Sequence, residues 1–336
     1  MFSGAGTPWS WPIPLAPTPR DVVATFGGAR LYRFRSNAQK QGLSPLLVVP
    51  SMINRWYVVD LRAGSSLVEA LVAGGLDVFC LDWGVPEDED RHLAWDDVVA
   101  RLGHAMSRAL CTSNAKQLSL LGYCMGGTLA TIATALRPDR VRALVNLAGP
   151  IDFSKGGLLS QLVAPQHFDA AAVASAGNVA PMQMQSGFMA LRPTGSIAKW
   201  VGLADRGSDP SFRAGFDALE TWASDNIPFP AAAYVTYIRE LYQENRLVRG
   251  EHAVRGQRVS LAEIRCPVLT VTADKDTICP PDAATALNAH ASSAVKEVGQ
   301  VPGGHVGAVV GSKASKVLYP KIVEFIRRNS TCDSKN

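Results

Sequence analysis

A cysteine flanked by two glycines stands where a predicted strand meets a predicted helix. The stretch is GYCMG (122–126), with an apolar run before it and a helix-like segment after it. A G-x-C-x-G sequence at such a junction is typical of a nucleophile elbow, a sharp turn that lifts its central side chain above a sheet. The glycines are needed because side chains there would collide with the adjoining strand and helix. We therefore predict that Cys124 is a nucleophile; the alternative is a buried structural cysteine, the commonest role of a free thiol.

The same turn predicts an oxyanion site. The amide of Met125 would face the carbonyl oxygen of a substrate, and the partial positive charge at the start of the following helix favours a thiolate at Cys124. A second amide donor is expected from the loop VPSMINRWYVVDL (49–61), as in other elbows of this type. The amides of Ser51–Ile53 are the candidates, and the sequence does not choose among them.

An acid and a histidine follow Cys124 in the chain order that this type of elbow requires. Asp276 lies in the turn after an apolar strand and is the preferred acid; Asp274 is the alternative, and Asp282 has the position of a first-turn helix acid. His305 follows two glycines in the next loop between a strand and a helix, so we predict that it is the base. The other five histidines have polar or helical surroundings that indicate structural roles: His92, His104, His167, His252 and His290.

These residue types narrow the chemistry to acyl transfer. A thioester that exchanges its acyl group with an enzyme thiol keeps that group activated, whereas a serine ester would lose part of the activation. A cysteine at the elbow therefore favours transfer to an acceptor other than water, although some hydrolases also use cysteine.

The pattern of apolar runs predicts the elements that position these residues. Strands are predicted at 45–50, 76–83, 117–123, 141–149, 266–274 and 296–300, and helices at 65–75, 95–110, 126–138, 282–291 and 314–328. This alternation indicates an α/β fold with a parallel, doubly wound sheet. Between them, 209–225 and 230–245 look helical and no clear strand occurs, which predicts a helical cap inserted over the edge of the sheet.

The domain prediction follows from this pattern. It consists of a proline-rich tail at 1–20, core segments at 21–151 and 265–330, a helical cap at 152–264, and a C-terminal tail at 331–336.

Composition excludes several other classes. The 336 residues carry a net charge of +4 without a long basic run, so a nucleic-acid partner is not expected. The six cysteines form no C-x-x-C pair, which argues against a disulfide framework or a zinc site and for a reducing, cytoplasmic location. The start of the chain has no signal-peptide pattern, and no apolar run is long enough to cross a bilayer. Motifs for metals, nucleotides and dinucleotides are also lacking.

Several longer stretches resemble the catalytic subunit of polyhydroxyalkanoate synthases of the short, two-component type (class III, with class IV close). The form GYCM is nearer class IV, whereas LDWGVPEDEDR is nearer class III; the first 20 residues lie outside the resemblance. The stretches are MINRWYVVDL (52–61), LDVFCLDWGVPEDEDRHLAWDDVV (76–99), LLGYCMGG (120–127), GNVAPMQMQSGFMALRP (177–193), YIRELYQENRLVRG (237–250), RCPVLTVTADKDTICPPDAA (265–284) and PGGHVGAVVG (302–311).

The resemblance implies an α/β-hydrolase fold and an acyltransferase that polymerises (R)-3-hydroxyacyl-CoA into polyester with release of CoA. The family's cysteine, aspartate and histidine fall on Cys124, Asp276 and His305, and the growing chain is carried as a thioester of the cysteine. The aspartate is also implied in deprotonating the incoming 3-hydroxyl. No cofactor is implied, since the CoA thioester is the substrate. A second synthase subunit, an active homodimer and a location in the cytoplasm at the surface of a polymer granule are implied as well.

Three alternatives remain open from the sequence. A cysteine hydrolase of the dienelactone hydrolase kind shares the elbow, but the large cap and the Asp-Trp-Gly-x-Pro stretch argue against it. An intracellular polyester depolymerase would release oligomers instead of CoA. A catalytically silent granule-associated protein would not need a complete Cys/Asp/His set. Arg206, Arg213 and Arg239 in the cap are candidate contacts for CoA, although exposed arginines are common.

Overall fold

An eight-stranded sheet forms the centre of the molecule. The computed structural model of the chain describes residues 14–36, 42–191 and 195–330. Most of the predicted N-terminal tail (1–13) and the predicted C-terminal tail at 331–336 lie outside the described residues. The strands, numbered in chain order, are β1 (Arg20–Phe26), β2 (Ala29–Phe34), β3 (Leu46–Val49), β4 (Val78–Asp82), β5 (Leu118–Tyr123), β6 (Val141–Leu147), β7 (Val268–Ala273) and β8 (Lys296–Val301).

The order of the strands is β1-β2-β4-β3-β5-β6-β7-β8. β2 is antiparallel to both β1 and β4, whereas every pair from β4 to β8 is parallel. The six strands predicted from the sequence correspond to β3–β8. The hairpin of β1 and β2 was not predicted, because every residue of β1 keeps some exposure and its sequence lacks a continuous apolar run.

Helices connect the parallel strands and form the segment between β6 and β7. Two short strand pairs lie outside the main sheet: Asp60–Arg62 with Ser65–Ser66, and Ala253–Val254 with Gln257–Arg258. The second pair lies in the segment where the sequence predicts no strand. The helices are α1 (Leu67–Ala73), α2 (Trp95–Ser113), α3 (Met125–Leu136), α4 (Gly157–Leu162), α5 (Ala170–Val173), α6 (Pro181–Ala190), α7 (Gly195–Arg206), α8 (Pro210–Ser224), α9 (Ala231–Thr236), a π-helix (Tyr237–Gln243), α10 (Arg246–Arg249), α11 (Pro281–His290), α12 (Gly307–Val310) and α13 (Ala314–Asn329).

Alternate residues of each central strand enter two different apolar layers. In β3, Leu47 and Val49 pack with α2 and α3, and Leu46 and Val48 pack with α1 and α13. All four β3 side chains are fully buried, which explains why this strand reads as a continuous apolar run. The sheet is therefore covered on both faces, and the loops at the carboxyl ends of its strands are free to form a site.

The ordered core begins before residue 21. The Thr18 amide and hydroxyl donate to the buried carboxylate of Asp60 at 3.1 and 2.7 Å, and Ser66 Oγ donates to the same group at 2.6 Å. A buried carboxylate needs such donors, so Thr18 is anchored although it belongs to the predicted tail. Among the described residues, the helices are too short or too polar for any of them to cross a membrane.

Candidate active site

Cys124 stands at the bend between β5 and α3. Its backbone has φ 57° and ψ −130°, a conformation that L-residues rarely adopt. A Cβ on Gly122 would lie 2.2 Å from the Gly126 carbonyl oxygen, and one on Gly126 would lie 1.9 Å from the Val49 carbonyl oxygen. Both glycines are therefore needed for close packing of the turn against β3 and α3, which is the steric reason inferred from the sequence.

Two loops bring His305 and Asp276 together. Asp276 follows β7 and His305 follows β8, and His305 Nδ1 lies 2.7 Å from Asp276 Oδ2. The other oxygen, Asp276 Oδ1, accepts hydrogen bonds from the amides of Ile278 and Cys279, each at 2.9 Å. These bonds fix the carboxylate, so that Nδ1 of the imidazole is held and Nε2 is left for another partner.

The two other candidate acids have different positions. Asp274 Oδ1 accepts from the Gly303 amide at 2.7 Å and so joins the loop after β7 to the loop after β8. Asp282 lies in the first turn of α11. The geometry thus selects Asp276 as the partner of His305.

The electrostatics of His305 depend on both neighbours. Burial of the imidazole opposes its charged form, but the negative charge of Cys124 and the hydrogen bond to Asp276 outweigh burial and raise the pKa of His305 to about 10. His305 Nε2 is buried, and its interaction with the Cys124 side chain is a further cause of the raised pKa of His305. An imidazolium beside Cys124 stabilises a thiolate, as in other cysteine nucleophiles.

Tyr123 packs against His305, a contact that was not predicted from the sequence. The two rings are stacked, with centroids 5.2 Å apart and an angle of 24°. The Tyr123 hydroxyl donates to the His305 carbonyl oxygen at 3.3 Å. The residue before the nucleophile thereby fixes the backbone and the ring of the base; its place in the elbow sequence was the only available signal.

Met125, predicted to supply an oxyanion amide, directly follows Cys124, and residues of the second predicted segment line a cavity with it. Met125 is the first residue of α3, where amides have no acceptor within the helix. Ser51 and Ile53 line a cavity together with Cys124 and His305. The Ile53 amide makes a long contact of 3.5 Å with Ser51 Oγ. The choice of the second donor among Ser51–Ile53 therefore remains a prediction.

Trp83 positions this loop. Its indole Nε1 donates to the Pro50 carbonyl oxygen at 2.9 Å, immediately before Ser51. Gly84 has φ +76°, and a Cβ there would lie 2.2 Å from the Gly28 carbonyl oxygen. The Asp-Trp-Gly-x-Pro stretch thus holds the loop that faces the nucleophile.

Two cavities meet at Cys124. The smaller one, of about 180 Å³, contains Cys124, His305 and the side chain of Arg55. The larger one, of about 540 Å³, is mostly lined by apolar and aromatic side chains. Met184 and Phe188 of α6 contribute to both walls. Cys124 itself is half-buried, so residues of the predicted cap lie over it without sealing it completely.

Hydrogen bonds between the end of α8 and the loop after β3 hold this part of the predicted cap in place. Arg55 Nε and the Tyr57 hydroxyl donate to Asp225 Oδ2 at 2.9 and 2.8 Å. Trp222 Nε1 donates to the Arg55 carbonyl oxygen at 2.9 Å. The segment that carries the second oxyanion candidates is therefore joined directly to the helical segment above it.

The three cap arginines named as candidate contacts for CoA are outside the described walls of the two cavities. Arg206 packs over the ring of Phe212 at 4.4 Å, and Arg213 pairs with Asp217 at 2.9 Å. The described walls of the two cavities include neither of these nor Arg239; Arg55 is the arginine that they contain.

Other reactive groups in the described part of the chain do not compete with Cys124. Cys279 lines the larger cavity, but burial and then the charge of Asp276 raise the pKa of its thiol well above the usual value. Among the described residues, no group of three or more histidine, cysteine, aspartate or glutamate side chains could hold a metal ion.

The fold and the elbow define the class of protein. The family model of the alpha/beta hydrolase fold matches residues 45–312. A hydrolase from Pseudomonas aeruginosa is 18% identical, with a TM-score of 0.56 over 91% of this chain and 98% of its own. A monoacylglycerol lipase from Paleococcus ferrophilus is 16% identical, with a TM-score of 0.56 over 89% and 99% of the two chains. The chain has an α/β-hydrolase fold, as predicted.

Sequence relatives identify the family within this class. The family model of the poly-beta-hydroxybutyrate polymerase (PhaC) N-terminus matches residues 13–71, and so includes part of the proline-rich start. The chain is similar to the proteins named poly(3-hydroxyalkanoate) polymerase subunit PhaC of Thiocystis violacea (32% identity; 93% of this chain, 89% of the relative) and Allochromatium vinosum (33%; 92% and 88%). It is 32% identical to the Haloferax mediterranei protein of that name over 95% of this chain, and spans 65% of that relative. The chain belongs to the poly(3-hydroxyalkanoate) polymerase family, which confirms the predicted resemblance.

Proposed function

We propose that this protein is an acyltransferase that polymerises (R)-3-hydroxyacyl-CoA into polyester and releases CoA. The observation that carries the proposal is the position of Cys124: it stands on a strained elbow, beside a buried His305–Asp276 pair, where a smaller cavity and a larger, mostly apolar one meet. Membership of the polymerase family supports the same activity.

Acylation would use His305 as the base. His305 Nε2 takes the proton of the Cys124 thiol, and the sulfur attacks the thioester carbonyl of the acyl-CoA. The Met125 amide and one amide of the loop before Arg55 would hold the oxyanion. The bond between the carbonyl carbon and the CoA sulfur then breaks, and the proton on His305 passes to the departing CoA thiolate.

Elongation would use the same base a second time. The 3-hydroxyl of an incoming 3-hydroxyacyl-CoA loses its proton to His305, and its oxygen attacks the thioester on Cys124. An ester bond forms, the bond between the acyl carbon and the Cys124 sulfur breaks, and the sulfur recovers the proton from His305. The lengthened chain is then a thioester of CoA, and a further acylation step returns it to Cys124 and releases that CoA. The Asp276 side chain is fully buried and both of its oxygens are bonded, so we propose that it acts on the hydroxyl through His305 and not by direct contact.

The two cavities suit the two parts of the substrate. A polyester chain is largely apolar, and the side chains that line the larger cavity are mostly apolar and aromatic, which would limit the access of water to the thioester. CoA is anionic, and Arg55, which is paired with Asp225, is the arginine that lines the smaller cavity together with Cys124 and His305. We therefore propose that the segment 152–264 acts as a cap, that CoA approaches through the smaller cavity and that the acyl chain lies in the larger one.

We also propose that the active form contains a second synthase subunit and is a homodimer at the surface of a polymer granule. The names of the relatives call each of them a subunit. Exposed apolar side chains occur on α4 and α6, including Leu158, Met182 and Met189, and such side chains commonly mark contact surfaces. We expect the purified chain alone to show a lag in CoA release, and a cognate second subunit to shorten the lag and tighten a dimer. Lag-free polymerisation by the lone monomer would contradict this.

The activity is tested by supplying (R)-3-hydroxybutyryl-CoA and following free CoA together with insoluble polymer. The proposal expects both products from the wild type and neither from Cys124→Ala. Release of CoA with only free hydroxy acid would instead identify a thioesterase, and degradation of added polyester without CoA turnover would identify a depolymerase.

A further inference from the structure

The larger cavity contains two tyrosines that the reaction described above does not use. Tyr237 and Tyr242 both line this cavity together with Cys124. Their rings are in edge-to-face contact, with centroids 5.5 Å apart and an interplanar angle of 73°. The ring of Phe153 packs against Tyr242 at 4.7 Å. In a largely apolar cavity, a few fixed polar groups of this kind orient the ligand.

A π-helix brings the two tyrosines to the same side. The segment Tyr237–Gln243 follows α9 directly, and the Glu244 amide donates to the Arg239 carbonyl at 2.9 Å, which is the five-residue spacing of a π-helix. In an α-helix, residues five apart would point about 140° away from each other. The wider turn therefore creates the contact between Tyr237 and Tyr242. Such turns are rare and are frequent at functional sites.

Polar contacts hold the π-helix in this conformation. Glu240 Oε2 lies 2.9 Å from the buried His252 Nδ1. Gln243 Nε2 donates to the carbonyls of Val163 and Phe168 at 2.9 and 3.0 Å. The π-helix is thus joined to the neighbouring segments on two sides, and the position of the tyrosines does not depend on a mobile side chain.

Both phenols are protonated at neutral pH and can donate a hydrogen bond. Burial raises the pKa of both Tyr237 and Tyr242, and the charge of Cys124 raises both further. The Tyr242 ring contacts the rings of both Tyr237 and Phe153, so its phenol has a fixed position in the wall of the cavity.

We propose that Tyr242 donates a hydrogen bond to the 3-oxygen of the acyl unit carried by Cys124, and that Tyr237 positions Tyr242. The inference rests on the proposed function. The 3-oxygen is a hydroxyl in a newly loaded unit and an ester oxygen once the chain has grown, and both forms accept a hydrogen bond. An acyl group without this oxygen would leave the Tyr242 hydroxyl unpaired in an apolar cavity, which disfavours its binding.

The test compares two acyl donors in single-turnover acylation of Cys124, followed by mass spectrometry of the intact protein. The donors are (R)-3-hydroxybutyryl-CoA and butyryl-CoA, which differ only in the 3-hydroxyl. We expect the wild type to prefer the hydroxy donor. Tyr242→Phe should slow acylation by that donor about tenfold, the effect of one hydrogen bond, while butyryl-CoA reacts as in the wild type. Tyr237→Phe should also lower the ratio of the acylation rate with the hydroxy donor to the rate with butyryl-CoA, but by less than Tyr242→Phe does.

Tyr234→Phe is the matched control. Tyr234 lines the same cavity, but only burial raises the pKa of its phenol, without a contribution from Cys124. The Tyr234→Phe variant should therefore keep the wild-type ratio of the acylation rates with the two donors. An equal slowing of both donors by Tyr242→Phe, or no slowing of either, would overturn the tyrosine proposal while the polymerase function stands. If neither donor acylates the wild type, the proposed function itself fails.

Discussion

Replacing Gly126 by alanine tests whether the geometry of the elbow controls the reactivity of Cys124. A Cβ at this position would lie 1.9 Å from the Val49 carbonyl oxygen and 2.7 Å from the Pro50 carbonyl oxygen. Both obstacles are backbone atoms, one in the last residue of β3 and one in the first residue of the loop after it, and they cannot rotate away. Relief of the clash requires the start of α3 to move by about 1 Å away from β3, a distance typical of overpacking responses in a dense interior.

The shift moves the reactive groups themselves. Met125 and Cys124 directly precede Gly126, so the predicted oxyanion amide and the sulfur would be displaced from His305. A misplacement of about 1 Å costs about 100-fold in rate, and we expect at least this loss in single-turnover acylation by labelled (R)-3-hydroxybutyryl-CoA. Overpacking should also lower the free energy of unfolding by about 1–3 kcal/mol, measured by urea denaturation.

Gly307→Ala is the control for this experiment. Gly307 opens α12, two residues after His305, and no described atom lies within 4 Å of the position that a Cβ would take there. This variant should keep both acylation and stability. A wild-type acylation rate in a folded Gly126→Ala protein would refute the steric argument, and an equal loss in Gly307→Ala would show that any added methyl group near the site is harmful.

Three further predictions concern single side chains. Cys124→Ala should abolish acylation and polymer formation with a cooperative unfolding transition retained, whereas alanine at the exposed Cys111 should keep full activity; activity in Cys124→Ala would mean that the nucleophile is wrongly assigned. His305→Ala and Asp276→Asn should both slow single-turnover acylation by orders of magnitude. Asp276 contacts only His305 and backbone amides in the described site, so its loss should act through His305. Near-normal acylation with lost elongation in Asp276→Asn would instead support direct contact between Asp276 and the incoming hydroxyl. Burial lowers the pKa of His252 from 6.5, against an opposing effect of Glu240, so as the pH falls the unfolded chain takes up a proton on His252 before the folded protein does. Stability should therefore fall as the pH drops below about 6.5, more steeply than in His252→Gln when urea unfolding is followed from pH 7 to 5, and identical slopes would contradict the assignment.

The local sequence was sufficient for the central part of the fold and for the order of the site residues. The strand before Cys124 and the helix after it are short-range patterns, because burial on both faces of a parallel sheet produces continuous apolar runs. The two glycines of the elbow are also a short-range signal, because the steric need for them arises within one turn. The catalytic assignment of Cys124, Asp276 and His305 remains a prediction, but chain order and position in the turn already favoured the three residues that the structure places together, with Asp274 left as the alternative acid.

Some features were beyond local patterns for identifiable reasons. The edge strand β1 has weak apolar alternation because it is partly exposed throughout. The segment 230–245 has the composition of a helix, but its change from α-helix to π-helix at Tyr237 depends on Glu240 and Gln243 meeting partners elsewhere in the chain. A sequence window does not contain those partners.

The tertiary structure alone decided how the site is enclosed and which polar groups face it. The choice of Asp276 over Asp274 depends on which carboxylate reaches the imidazole of His305, 29 residues after Asp276 along the chain. The hydrogen bond from Trp222 Nε1 to the Arg55 carbonyl oxygen joins residues 167 positions apart. Packing of distant segments brings these groups within hydrogen-bonding distance, so the cavities, the tyrosine pair and the arginine beside Cys124 exist only in the folded chain. The nucleophile and its turn, in contrast, are determined by five consecutive residues.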